Sequence, residues 1–335
     1  MLNKDQLRRQ LLQAEIFNER VLQTIYAEKW LYIWVPKEYD GLGCSFSQGL
    51  KILQEVSQID GSLGWFVTLC SGANYFSRNL KPETAKKIFT QANVCFGGSG
   101  LIGGTAEKVG DSYIINGEWT YATGAPYLTH FTLNAQLIKD GAPIHDDRRE
   151  PQFRSFILDA SQVEQIPSWK SMGMVATASH SFKVENQYVH EEDSFIYHEF
   201  YTTDPLNHIP FEIFADLTLL VNYQGMANHF LEKSVEIRVN EVQDELRAYL
   251  AEVSQRVNTY AVQTEQLLSE SRIPHNSLAT EIHAFGEQTV AKLMFYITRL
   301  YQLSGIKASR TGEEINQVFR DFFTATQHAN FRKPV

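Results

Sequence analysis

The chain has 335 residues, 43% of them apolar and 12% aromatic, with 30 basic against 39 acidic side chains for a net charge of −9. This composition excludes a disordered chain and, without a basic tract, argues against nucleic acid and anionic membrane as partners. Charges run through the opening MLNKDQLRRQLLQAEIFNER, no run of about 20 apolar residues follows, and Cys44, Cys70 and Cys95 form no C-x-x-C; a cytoplasmic protein of two or three domains, with reduced thiols and no metal site, is expected.

Over 2–25 the apolar positions Leu7, Leu11, Leu12, Val21, Leu22 and Ile25 keep to one face and predict a first helix, which the loop VPKEYDGLG ends. Ser45 caps a second helix striped by Phe46, Leu50, Leu53 and Val56. GSLGWFVTLCSGANYF reads as a third helix, closely packed through its small residues, and Pro82 opens a fourth, PETAKKIF. After Asn93 the texture changes. TAEKV, SYII and EWTYA read as a meander broken at Gly110-Asp111 and Asn116-Gly117, dipeptides suited to tight hairpin turns. THFTLNAQLI alternates His130, Thr132, Asn134 and Gln136 with Phe131, Leu133, Ala135 and Leu137, the period of a half-buried strand. Further strands follow in RSFIL and HSFKVENQYV. Beyond Pro210, long helical patterns cover 211–239, 241–270, 277–304 and 312–329, with Thr311-Gly312-Glu313-Glu314 as a capping box for the last.

GSGLIG, from Gly98 to Gly103, matches the G-x-G-x-x-G pattern of dinucleotide-binding loops. That pattern works because the glycines let a pyrophosphate settle on the N-terminus of a following helix. Here strands follow, so the Rossmann reading is rejected and the stretch is taken as a flexible entry into the β region. G-x-x-x-x-G-K-[ST], H-E-x-x-H and G-x-S-x-G are all absent from the sequence, and the histidines form no ligand pair at helical spacing.

Five stretches in order, VPKEYDGLG, DGSLGW, TAEKVGDSYIINGEWTYATG, WKSMGMVATASHSFKVENQYV and FRDFFTATQHANF, resemble the acyl-CoA dehydrogenase superfamily from about Leu31 to the C-terminus. The resemblance implies an α+β fold: an N-terminal helical domain over 1–93, a middle antiparallel β-barrel domain over 94–205 and a C-terminal four-helix bundle over 206–335. DGSLGW, the W-x-x-M-G-M-x-x-T-x-S run from Trp169 to Ser179 and the ending RDFFTATQH are similar to the flavin-dependent monooxygenase branch. Members of that branch take reduced flavin from a separate reductase and form a C4a-hydroperoxyflavin with oxygen. Many acyl-CoA dehydrogenases instead carry a glutamate base after the RD of the last helix, and Phe322 to Phe331 holds no acidic residue. Abstracting a proton from carbon needs a positioned base; Glu212 and Asp216 are the candidates for a displaced one.

By this resemblance His328 is the catalytic candidate, an imidazole near the flavin that hydrogen-bonds peroxide or substrate. Thr123 and Gly124 in YATG contact the flavin near N5 and O4, Tyr121 packs beside the isoalloxazine, and Thr177 and Ser179 place hydroxyls close to it. Phe96 and Ser99 border the cofactor. Trp119 and Trp169 read as core aromatics, His180 as a solvent-facing strand residue, and Arg320 and Asp321 as a structural charge pair at a helix start. The segment that reaches a neighbouring subunit's flavin in the family is shortened here, at RVNEVQDELRAYLAEV, which leaves FAD or FMN as cofactor and a tetramer or dimer as the homo-oligomer. The function implied is reduced-flavin-dependent oxygenation of a small aromatic or heteroaromatic molecule. The alternatives are an acyl-CoA dehydrogenase with a displaced base and a flavin-free family member serving as a binding or assembly subunit.

Overall fold

The computed structural model describes residues 3–332, so positions 1, 2 and 335, at the limits of the expected first helix and outer domains, lie outside the described residues. Helices α1 (Lys4–Leu11), α2 (Glu19–Ala27), α3 (Phe46–Ser57), α4 (Gly61–Asn74) and α5 (Pro82–Phe89) come first. The single helix expected over 2–25 is two. Gln13 takes a left-handed φ of 59°, and Asn18 restarts the helix by accepting from the Val21 N–H, while Leu7, Leu11, Val21 and Ile25 are still buried. Ser45 and Gln48 form a capping box on α3, and Pro82 occupies the first turn of α5. α4 is buried nearly all round, and its glycines permit that: a Cβ on Gly64 would lie 2.4 Å from Ser57 Oγ.

Eight strands follow: β1 (Phe96–Val109), β2 (Ser112–Ala122), β3 (His130–Lys139), β4 (Ala142–Pro143), β5 (Phe153–Asp159), β6 (Glu164–Ile166), β7 (His180–His190) and β8 (Ser194–Phe195). They form one sheet in the order β6-β7-β2-β1-β3-β5-β8, with β4 on β3. The expected antiparallel barrel is corrected on two counts: β1 and β3 run parallel, and no pairing among the described residues closes the path from β8 to β6. Gly110-Asp111 is the β1–β2 turn, whereas Asn116-Gly117 lies inside β2. Gly117 pairs with Gly104, where a Cβ would meet the facing Cα at 2.5 Å, and the Trp119 indole covers both glycines. The glycine stretch is likewise no flexible entry; it is the first half of β1, bulged against β3 between Ser99 and Gly104.

The chain ends in helices α6 (Phe211–Ile237), α7 (Glu241–Ser269), α8 (Asn276–Leu303), α9 (Gly305–Ala308) and α10 (Glu314–Ala325). α6 runs between α3, α7, α8 and α10 and is buried along most of its length. The capping box expected at Thr311 to Glu314 does not form: Glu313 is the N-cap of α10, without a side-chain cap bond. Glu314 instead turns inward to His229 Nε2 at 2.7 Å, Lys233 Nζ at 3.1 Å and Arg8 Nε at 3.8 Å. Arg320 and Asp321 sit inside α10 and make no ion pair with each other among the described residues. Arg320 donates to Asn316 Oδ1 and the Met172 carbonyl, and Asp321 accepts from the Met174 N–H, so the two clamp the 172–174 turn onto the helix. No described helix is long and apolar enough to cross a membrane.

Candidate active site

A cavity of about 350 Å³ opens between α4, the β1–β3 wall and α6, and the segment after α10 closes one end. α4 contributes Thr68, Leu69, Gly72, Ala73 and the following Phe76; α6 contributes Phe211, Phe214, Ala215, Thr218 and Leu219. Both sets have the spacing of one helical face, so two helices each turn a mainly apolar stripe to the same space. Gly72 is the gap in the first stripe. A Cβ there meets nothing within 4 Å among the described residues, which marks room left for a ligand.

On the sheet side Thr132 and Asn134 of β3 line the cavity. THFTLNAQLI reads as a half-buried strand, yet both of these polar positions are buried, because β3 lies between β1 and β5 in the sheet and its polar face meets the cavity. Asn134 organises this wall. Its Oδ1 accepts from Ser155 Oγ at 2.6 Å and Tyr197 Oη at 3.0 Å, and its Nδ2 donates to the Gly100 carbonyl at 2.8 Å. The bulged glycine stretch is thereby held as cavity floor, with Gly97, Gly98 and Gly100 facing it. Gly98 has to be glycine, since a Cβ there would lie 1.8 Å from the Thr132 carbonyl oxygen.

His328 enters from the C-terminal segment and lines the same cavity. Its Nδ1 accepts from the Asn330 N–H at 3.3 Å, so the neutral imidazole carries its proton on Nε2 and can donate it to a ligand. Surrounding protein lowers the histidine's pKa from its usual 6.5, which keeps it neutral at pH 7. Asn330 Nδ2 donates to Asp216 Oδ1 at 2.7 Å, and His283 Nδ1 lies 3.1 Å from Asp216 Oδ2, tying the segment to α6 and α8.

Of the residues singled out from sequence, Tyr121, Thr123, Ser99 and His328 come together on this cavity. Thr177 and Ser179 lie behind Thr123: Thr123 Oγ1 is 3.0 Å from Ser179 Oγ, which is 2.9 Å from Thr177 Oγ1. Gly124, at φ 80°, donates its N–H to the Thr177 carbonyl at 2.7 Å, and a side chain there would strike Phe66. Phe96 does not border the cavity. It is fully buried between Phe89 and His130, each at 5.3 Å between ring centroids. His180 is half-buried rather than solvent-facing, its Nδ1 accepting from the Trp169 N–H at 3.1 Å. Gly72, Tyr197 and Asn330 were not anticipated; no local pattern points to them.

The displaced-base candidates do not face this space. Glu212 is exposed, and both oxygens of Asp216 are engaged by Asn330 and His283. Neither lines the cavity.

This arrangement, with α4 and α6 packed on each other and the cavity where they meet the β1–β3 wall of a mixed sheet, matches the acyl-CoA dehydrogenase-like fold of solved flavin-dependent monooxygenases. The HsaA monooxygenase from M. tuberculosis superposes with a TM-score of 0.86 over 98% of this chain and 92% of its own, at 17% identity. TdsC from Paenibacillus sp. A11-2, solved as a complex with FMN and indole, superposes at 0.79 over 97% and 91%, at 18% identity. In sequence the chain is similar to the indole-3-acetate monooxygenase of Pseudomonas putida, 29% identical over 164 residues that span 48% of this chain and 40% of that relative. No protein-family model matches the chain.

Proposed function

We propose that the protein is a flavin-dependent monooxygenase component that uses reduced FAD or FMN and molecular oxygen to oxygenate a small aromatic or heteroaromatic molecule. The observation that carries this is the pairing, in one aromatic-walled cavity, of the Nε2–H of a neutral His328 with the hydroxyl of Thr123. The likeness to HsaA and to TdsC with FMN and indole supports it.

The residues fit a flavin ring edge. The glycine floor presents backbone without bulk, a Cβ on Gly100 would meet nothing within 4 Å among the described residues, and Tyr121 is an exposed aromatic at the rim. Thr123, Ser99 and Tyr121 would hold the ring, and reduced flavin would supply activated oxygen. The chain's own part is to position and shield. His328 donates from Nε2 to an oxygen as negative charge develops there, a role that suits a neutral imidazole. Phe76, Phe195, Phe214 and Leu219 keep water from the reacting atoms and stack or pack on an aromatic substrate. Without a carboxylate in the cavity, proton abstraction from an acyl thioester has no agent among the described residues. The same reading includes a separate reductase that supplies reduced flavin, and assembly as a tetramer or dimer.

The test is turnover: purified protein, an independent flavin reductase, NADH, FMN or FAD, oxygen and indole. Oxygenated indole formed only with the protein present supports the reading. Anaerobic bleaching of bound flavin by an acyl-CoA would replace it with the dehydrogenase.

A further inference from the structure

We propose that Ser179 and Thr177, which lie behind the cavity wall, fix the hydrogen-bonding polarity of Thr123 and so make the site select reduced over oxidised flavin. This rests on the flavin reading above.

Four oxygens stand in a row: Thr123 Oγ1 to Ser179 Oγ at 3.0 Å, Ser179 Oγ to Thr177 Oγ1 at 2.9 Å, and Thr177 Oγ1 to the Met174 carbonyl at 2.8 Å. A carbonyl only accepts, and each hydroxyl has one proton. One assignment fills every contact: Thr177 donates to Met174, Ser179 to Thr177, and Thr123 to Ser179. The reverse order leaves two lone-pair oxygens facing each other at 2.8 Å with no proton between them. Thr177 is fully buried, and Ser179 and Thr123 are nearly so, so water cannot repair that loss. The terminal acceptor is also held in place. Trp169 Nε1 donates to the same carbonyl at 3.0 Å, and Asp321 takes the Met174 N–H from the other side.

Thr123 is therefore an acceptor toward any ligand, because its only proton points away from the cavity. The oxidised isoalloxazine presents N5 as a bare acceptor, and an acceptor facing an acceptor is a mismatch. Two-electron reduction places a hydrogen on N5, which then matches the lone pairs of Thr123. The selectivity comes from residues that touch no ligand: Ser179 and Thr177 are positioning residues, and Thr123 makes the contact.

The experiment is equilibrium binding of oxidised FMN and of anaerobically reduced FMN to the wild type, Ser179→Ala, Thr177→Val and Ser179→Thr. The wild type is expected to bind the reduced form about tenfold or more tighter, the scale of one hydrogen bond gained against one mismatched. Ser179→Ala removes the acceptor for the Thr123 proton. Thr177→Val removes the acceptor for Ser179, which then donates to Thr123. Either change frees Thr123 to donate to oxidised flavin, so the ratio falls below about threefold. Ser179→Thr, which keeps the hydroxyl, retains the wild-type ratio. A folded Ser179→Ala or Thr177→Val protein with an unchanged ratio overturns the proposal, as does a wild type that binds both forms equally. A wild type that binds neither form overturns the flavin reading itself.

Discussion

The His328 imidazole meets the Trp65 indole edge to face, with ring centroids 5.3 Å apart and planes at 70°. Trp65 belongs to DGSLGW near the start of α4, and His328 to RDFFTATQH near the chain end, so two distant motifs meet beside one cavity. A protonated imidazole quenches a neighbouring indole more strongly than a neutral one. Tryptophan emission of the wild type should therefore fall on acidification with a midpoint below pH 6.5, the direction in which burial moves His328. The difference spectrum between wild type and His328→Gln should carry that titration. A midpoint above 6.5 would contradict the neutral, donating imidazole.

His328→Ala should leave flavin binding and oxygen consumption in place while product per oxygen consumed drops by about tenfold or more, with hydrogen peroxide making up the difference. Loss of one well-placed donor commonly costs about 100-fold or more in the step that it serves, and a competing leak softens the observed effect. Parallel oxygen and product assays read the split. Wild-type coupling in the variant would remove His328 from the reaction.

Gly72→Leu should fill the cavity without disturbing the fold, since a Cβ at that position has no neighbour within 4 Å among the described residues. Leucine is also a better helix former than glycine by about 0.8 kcal/mol, so the melting temperature should hold or rise. Indole binding, followed by calorimetry, should weaken by about tenfold or more. Unchanged affinity in a stable variant would place the ligand elsewhere.

Asp321 is buried on α10, its Oδ2 has no hydrogen-bond partner among the described residues, and burial together with the nearby Asp60 carboxylate raises its pKa well above the usual range. A folded-state value above the unfolded one means that the stabilising contribution is complete below about pH 4 and is lost as the pH rises through the folded-state value. Asp321→Asn keeps an oxygen for the Met174 N–H and removes the ionisation. Urea unfolding should show wild-type stability declining between pH 5 and pH 8 relative to Asp321→Asn, by about 1 kcal/mol or more. Parallel pH profiles would contradict a strained buried acid there.

Long elements with a clear period were legible in the sequence: α3 from its Ser45 cap and apolar stripe, α5 from Pro82, and the last long helices from their breaks. Misreadings arose where a residue's local preference was overruled by a tertiary partner. Asn116-Gly117 suits a turn, yet Gly104 and Trp119 need a glycine inside a continuous strand. Glu314 suits a capping box, yet His229 and Lys233 draw its carboxylate inward and hold its pKa down at about 2 against the opposing effect of burial. In the site, Thr123 and His328 were legible only through family likeness, because neither carries a local signature. Asn134 was visible as a polar position on a strand, but its face could not be assigned without knowing that β3 lies in the middle of the sheet. Gly72 and Asn330 carry meaning only once α4, α6 and the chain end are assembled around the same space.

The most direct test of the central claim is rapid mixing of the protein and anaerobically reduced FMN or FAD with oxygenated buffer, followed by near-ultraviolet and visible absorbance. The account predicts a protein-dependent, long-lived absorbing phase between reduced and oxidised flavin, shortened in His328→Ala. Reoxidation at the rate of free flavin, indifferent to the protein, would contradict it.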